Sequence, residues 1–104
     1  MEIDVGKIRK PNRNQEEMFA VVDQKLGGNH VRVVCEDGRE RLGRIPGRFR
    51  RRMWIMVGDV VICKLWEYRK DRCDVIYKYR KTEVEKLLQE GYLKPLEDYL
   101  GMYL

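Results

Sequence analysis

The chain has no serine, a single histidine, three cysteines and no long apolar run. Each shortage removes a class of function. Without serine the commonest hydroxyl nucleophile is gone. His30 follows Gly27-Gly28-Asn29 at a strand start, and no nucleophile stands near it in sequence. Leu26-Gly27-Gly28-Asn29 lacks the lysine and the spacing of a phosphate-cradling loop. An enzyme is therefore not expected. A zinc site takes about four ligands, and Cys35, Cys63 and Cys73 are odd in number and lack CxxC spacing. No metal or cofactor is expected. Cys35 and Cys63 lie in apolar runs as small hydrophobes, whereas Cys73, between Arg72 and Asp74, reads as the exposed one. No stretch reaches the roughly 20 apolar residues of a spanning helix. Residues 1–11 carry Glu2 and Asp4 and no apolar signal core. A cytoplasmic protein without membrane contact is expected.

What the chain does have is charge, unevenly placed. Of 104 residues 38% are charged, with a net +5. Residues 1–38 sum to −1, residues 39–81 to +9 and residues 82–104 to −3. A polycation confined to the middle of a folded chain points to a binding face for an anionic partner, nucleic acid above all. The length allows one domain with one modest core.

Period-two alternation and β-branched content predict five strands, at residues 17–24, 30–36, 39–44, 59–64 and 74–79. Val31, Val33 and Cys35 fall on one face of the second, with Arg32 and Val34 on the other. Asp37-Gly38 predicts a two-residue type I′ hairpin turn. Alternation fails between Leu42 and Ile45, which predicts a bulge or an early strand end near Gly43. Residues 46–57 are too long for a hairpin and must cross over, with a helical turn in residues 48–53. Five strands with a long third-to-fourth connection make the fold mainly β, a five-stranded OB-fold barrel.

The period then changes. Thr82-x-x-Glu85 reads as a capping box, Val84, Leu87 and Leu88 as an apolar helical stripe, and Gly91 as its stop. After Pro95, the apolar stripe Leu96, Tyr99, Leu100 and Tyr103 predicts a second short helix folded back on the domain. The expected organisation is a flexible basic tail at 1–15, an OB domain at 16–80 and a C-terminal helical extension, packed on the barrel, at 81–104.

The basic run is the candidate site. Arg39, Arg41, Arg44, Arg48, Arg50, Arg51 and Arg52 lie within 14 residues, opposed only by Glu40. Arginine suits RNA because its planar fork holds phosphate oxygens and stacks on bases. Trp54, directly after the run, is either buried beside Ile55 or free to face RNA. A second basic set, Lys64, Arg69, Lys70 and Arg72, is interleaved with Trp66 and Tyr68 and diluted by Glu67 and Asp71. Trp66 is expected to pack on the barrel rim. Lys7, Arg9, Lys10 and Arg13 either touch phosphate or are simply solvated. Residues 31–44 hold no aromatic ring, so stacking platforms of the cold-shock kind are missing. That favours recognition of folded RNA by shape and phosphate.

Lys25-Leu26-Gly27-Gly28, Cys35-Glu36-Asp37-Gly38, Arg41-Leu42-Gly43-Arg44-Ile45-Pro46-Gly47-Arg48, Trp54-Ile55, Gly58-Asp59-Val60-Val61 and Asp74-Val75-Ile76-Tyr77-Lys78-Tyr79 come in order. The series closely resembles the translation initiation factor 1A family across residues 16–93, and its archaeal members more than its eukaryotic ones. The resemblance implies a monomeric OB-fold factor at the decoding A site of the small ribosomal subunit. It would contact rRNA, assist initiator tRNA recruitment and work with other initiation factors, a translational GTPase among them. The family's RNA-facing surface maps onto Arg41, Arg44, Arg48, Arg50, Arg51, Arg52 and Trp54. Leu96-Glu97-Asp98-Tyr99-Leu100 is only loosely similar to the segment that docks on that GTPase. Two other readings stand beside this one: a general RNA chaperone of cold-shock type, and a protein-interaction module using the acidic C-terminal helices.

Overall fold

The computed structural model describes residues 4–49 and 54–102. Its five strands are β1 (Glu17–Gly27), β2 (His30–Cys35), β3 (Glu40–Arg44), β4 (Val60–Leu65) and β5 (Arg72–Lys78). They close into a barrel in the order β1-β2-β3-β5-β4, with β3 and β5 parallel and every other pair antiparallel. This is the OB fold.

The apolar residues sort into two cores by strand parity. Ala20, Val22, Val31, Val33, Cys35, Val61, Cys63, Cys73 and Val75 fill the barrel interior, with Ile55 from the crossover. Phe19 and Val21 on β1, Val34 on β2, and Val60 and Ile62 on β4 point outward into a second cluster. That cluster is roofed by α1 (Lys81–Gln89), α2 (Glu97–Gly101) and the N-terminal segment. Leu87, Leu93, Leu96 and Leu100 are each essentially inaccessible there, and full burial of such a side chain is worth about 1.5–3 kcal/mol. Among the described residues no helix is long and apolar enough to cross a membrane.

Several local expectations change. The turn after β2 is not type I′. Gly38 has φ +84° and Asp37 has no positive φ. The Gly38 N–H donates to the Cys35 carbonyl at 2.9 Å, and the Cys35 N–H to the Arg39 carbonyl at 2.9 Å. That is a three-residue loop, a type I turn followed by a left-handed glycine. β3 ends at Arg44, while the register shifts occur in β1 and at Ile62/Cys63 of β4. Helix α1 begins one residue before Thr82, and its free N-terminus is met by Glu83, which accepts from the Arg80 N–H at 2.8 Å. Its end is a Schellman motif. Tyr92 N–H reaches the Leu87 carbonyl and Gly91 N–H the Leu88 carbonyl, with Gly91 at φ +81°.

Within residues 4–15, placed by sequence in a flexible tail, most side chains are exposed but several points of contact tie the segment to the barrel. Ile8 is buried in the outer cluster, and the Tyr79 hydroxyl donates to the Arg9 carbonyl. Arg9, Lys10 and Arg13 lie over the rings of Tyr77, Tyr92 and Phe19. Cys73 is buried as well as Cys35 and Cys63, and all three thiols are free. Hydrogen bonding to Cys35 and Cys73, together with burial, holds the Cys63 thiol well above its ordinary range.

Candidate nucleic-acid interface

The outer side of β3 and of the first half of β5 stands clear of the outer cluster, and several of the charged candidates lie there. Further along β5, Ile76 and Tyr77 pack against that cluster, and the Tyr77 hydroxyl donates to Glu83 on α1. Cα register aligns Arg44 on β3 with Asp74 on β5, and Asp74 with Lys64 on β4. Arg44 donates to both Asp74 carboxylate oxygens, at 3.1 and 3.3 Å. Asp74 also accepts from the Trp66 indole N–H at 3.0 Å. The guanidinium groups of Arg44 and Arg72 each lie 5.8 Å from the Trp66 ring. Trp66 is thus half-buried on the rim and held in orientation, as expected. Lys64 is exposed and makes no ion pair among the described residues.

Arg41 is not part of that surface. Its side chain is turned into the barrel end and only 4% of the residue is exposed. Its two terminal nitrogens clamp the Asp37 carboxylate at 2.9 and 2.8 Å, and its Nε donates to the Lys70 carbonyl at 2.7 Å. The cause is register. Arg41 pairs with Val33, whose side chain faces the interior, and it shares that parity with Gly43. The hydrogen bonds from Arg41, ahead of smaller contributions, hold the Asp37 carboxyl below its usual range.

The remaining candidates are exposed. Arg69 reaches Asp71 at 3.4 Å, Lys70 pairs with Glu16, and Arg48 lies over Phe49 in a 3-10 turn, Gly47–Phe49. Arg50, Arg51 and Arg52 lie outside the described residues. Trp54, which the sequence left open, is 76% exposed. The Lys25 ammonium stands 6.0 Å from its ring, and Lys78 donates to its carbonyl at 2.6 Å. Sequence reasoning placed Tyr68 within the second basic set but gave it no role of its own; it is 90% exposed. Its signal was position alone, at the tip of a strand connection where an aromatic ring has nothing to pack against.

Fold and surface together define the class: a five-stranded OB barrel with a basic open side. A family model described as "Translation initiation factor 1A / IF-1" matches residues 6–98. The chain belongs to the translation initiation factor 1A family. It is 50% identical over 93 residues to "Translation initiation factor 1A" of Archaeoglobus fulgidus, covering 89% of this chain and 96% of the relative. It is 46% identical over 86 residues to the protein of the same description from Sulfurisphaera tokodaii, covering 83% and 78%. Among solved structures it is similar to the solution structure of a translation initiation factor from the Wolbachia endosymbiont of Brugia malayi. The TM-score is 0.50 at 20% identity, over 68% of this chain and 85% of that one. At that identity the likeness speaks for the fold alone.

Proposed function

We propose that the protein binds rRNA of the small ribosomal subunit near the decoding A site and assists recruitment of the initiator tRNA complex, without chemistry of its own. The observation that carries this reading is the open, cation-bearing side of the barrel in a chain of the initiation factor 1A family. Arg44, Arg48, Lys64, Arg69 and Lys70 are exposed there or on the adjoining loops. Arg50, Arg51 and Arg52 join them by sequence. Their guanidinium and ammonium groups neutralise phosphates, while Trp54 offers a free ring for stacking on a base. Arg41 works from beneath, tying the Asp37 turn to the β4–β5 loop. Leu96 and Leu100 are buried in the outer cluster, which supports treating the C-terminal segment as part of the domain rather than as a free docking peptide for a GTPase.

The test is hydroxyl-radical footprinting on purified small subunits, with affinity measured across a salt series. Engagement of about four to six phosphates gives a log–log slope of roughly −3 to −5. Replacing Arg48, Arg50 and Arg51 together by alanine should weaken binding strongly and flatten the slope by up to about three. Undiminished binding by that variant across the salt range places the interface elsewhere.

A further inference from the structure

The connection from β4 to β5 carries an open notch of about 410 Å³, lined by Lys64, Leu65, Trp66, Glu67, Tyr68, Arg69 and Asp74. Its volume lies in the range of about 300–1,000 Å³ typical of small-ligand clefts. The loop that forms it is held at several points. Trp66 N–H donates to the Arg72 carbonyl at 3.0 Å, Arg72 N–H to the Arg69 carbonyl at 3.1 Å, and Arg41 Nε to the Lys70 carbonyl at 2.7 Å. On this braced loop Tyr68 keeps its ring in solvent, where it contributes nothing to the core. An aromatic ring displayed on a rigid support loses little freedom when something stacks on it.

The polar groups around the notch narrow the ligand. Lys64 supplies an ammonium on one side, unpaired among the described residues, and Arg44 and Arg72 supply guanidinium groups against Trp66. Asp74 has both oxygens occupied by Arg44 and Trp66. Glu67 is exposed and makes no ion pair among the described residues. A ring for stacking, a cation for phosphate and a free acceptor-only carboxylate match the three parts of a nucleotide.

We propose that this notch takes one unpaired nucleotide of a folded RNA, its base on Tyr68, its phosphate toward Lys64 and its edge toward Glu67. The proposal rests on the RNA-binding reading above. A carboxylate can accept but not donate, so bases with amino donors gain and bases whose edge is mostly carbonyl lose. Guanine presents two adjacent donors and binds best; adenine and cytosine follow; uracil, whose one N–H sits between two carbonyl oxygens, binds worst.

The experiment uses the full chain and hairpin RNAs that differ only in a single bulged nucleotide, with a fully paired hairpin as control. The guanine bulge should bind several-fold more tightly than the uracil bulge. Tyr68→Ala should weaken the guanine-bulge complex by on the order of tenfold, leave the paired hairpin unchanged and leave the melting curve unchanged. Tyr68→Phe should restore the affinity, and Glu67→Gln should erase the guanine–uracil difference. If all four bulges bind alike and Tyr68→Ala changes nothing, the notch is not a nucleotide site; paired-hairpin and small-subunit binding that persist then leave the broader reading standing. If the parent chain binds neither hairpins nor small subunits, both readings fall together. Should Tyr68→Ala lose small-subunit binding while keeping every hairpin affinity, the notch contacts a protein, and the proposal is overturned.

Discussion

The two outer sides of the barrel are built from neighbouring strands and differ in almost everything else. On β1 and β4, side chains of both parities are buried: Phe19, Val21, Val60 and Ile62 under the helices, Ala20, Val22, Val61 and Cys63 inside. On β3 and the first half of β5, the interior positions are Arg41, Gly43, Cys73 and Val75, while Arg44, Asp74 and Arg72 face outward. The covered side serves stability. The open side keeps its charges paired loosely at the edge of solvent, where they remain free to exchange partners. Substitutions should therefore move stability on one side and binding on the other, with little crossover.

The largest effect is expected from the roof. Leu87→Ala removes a fully buried side chain from the outer cluster and should cost about 3 kcal/mol, within the range of about 2–5 for such truncations. Chemical denaturation reads this directly, and the folded fraction should bind RNA as the parent does. If binding falls in proportion to the lost stability even in the fully folded variant, the two sides are not independent.

Next comes the clamp beneath the open side. Asp37→Asn leaves the buried Arg41 guanidinium with a neutral partner and should cost about 2 kcal/mol at neutral pH. The linkage has a definite sign. The folded-state carboxyl of Asp37 lies below its ordinary 3.8, so its contribution is fully present above that value and is lost as pH falls through the lower, folded-state value. The parent should lose stability below about pH 4, and Asp37→Asn should lose less over the same interval. Equal acid sensitivity in the two proteins would remove Asp37 from the account.

Gly38→Val should cost less, about 1–2 kcal/mol, because no atom lies within 4 Å of an added Cβ and only the φ of +84° opposes it. The type I′ turn expected from Asp37-Gly38 is replaced by a three-residue loop. Either turn requires a glycine in the left-handed region, so the residue is legible in the sequence although the turn type is not.

That pattern recurs. Strand positions and the shared face of Val31, Val33 and Cys35 can be read from alternation, since a strand with one wet face must alternate. The order of strands around the barrel cannot, because it is set by pairings across the fold. Alternation carries no instruction where both faces are buried, and the continuous run Val60-Val61-Ile62-Cys63 does not say which residues meet helices. Ile8 gives no signal because one apolar residue among Lys7, Arg9 and Lys10 has no period. Charge groups Arg41 with its neighbours, whereas register and the Asp37 four residues earlier decide its direction. Trp54 cannot be placed from sequence because the contacts that would bury it lie across the fold, and spacing does not report them.

The smallest effect on stability, and the sharpest separation of the two sides, is expected from Arg44→Ala. Arg44 is half exposed and its bonds to Asp74 are long, at 3.1 and 3.3 Å. Exposed pairs of this kind contribute about 0–1 kcal/mol, and Asp74 retains its bond from Trp66 after the substitution. The melt should therefore shift by no more than the equivalent of about 1 kcal/mol. In the proposed complex with RNA the same guanidinium would leave Asp74 for a phosphate and so count among the released-counterion contacts. Affinity for small subunits should fall and the salt slope should shrink by about one. Lys86→Ala on α1 removes an equal charge from outside this surface and should leave that slope unaltered. A slope reduced equally by both substitutions would mean that net charge, rather than the open side of the barrel, governs binding.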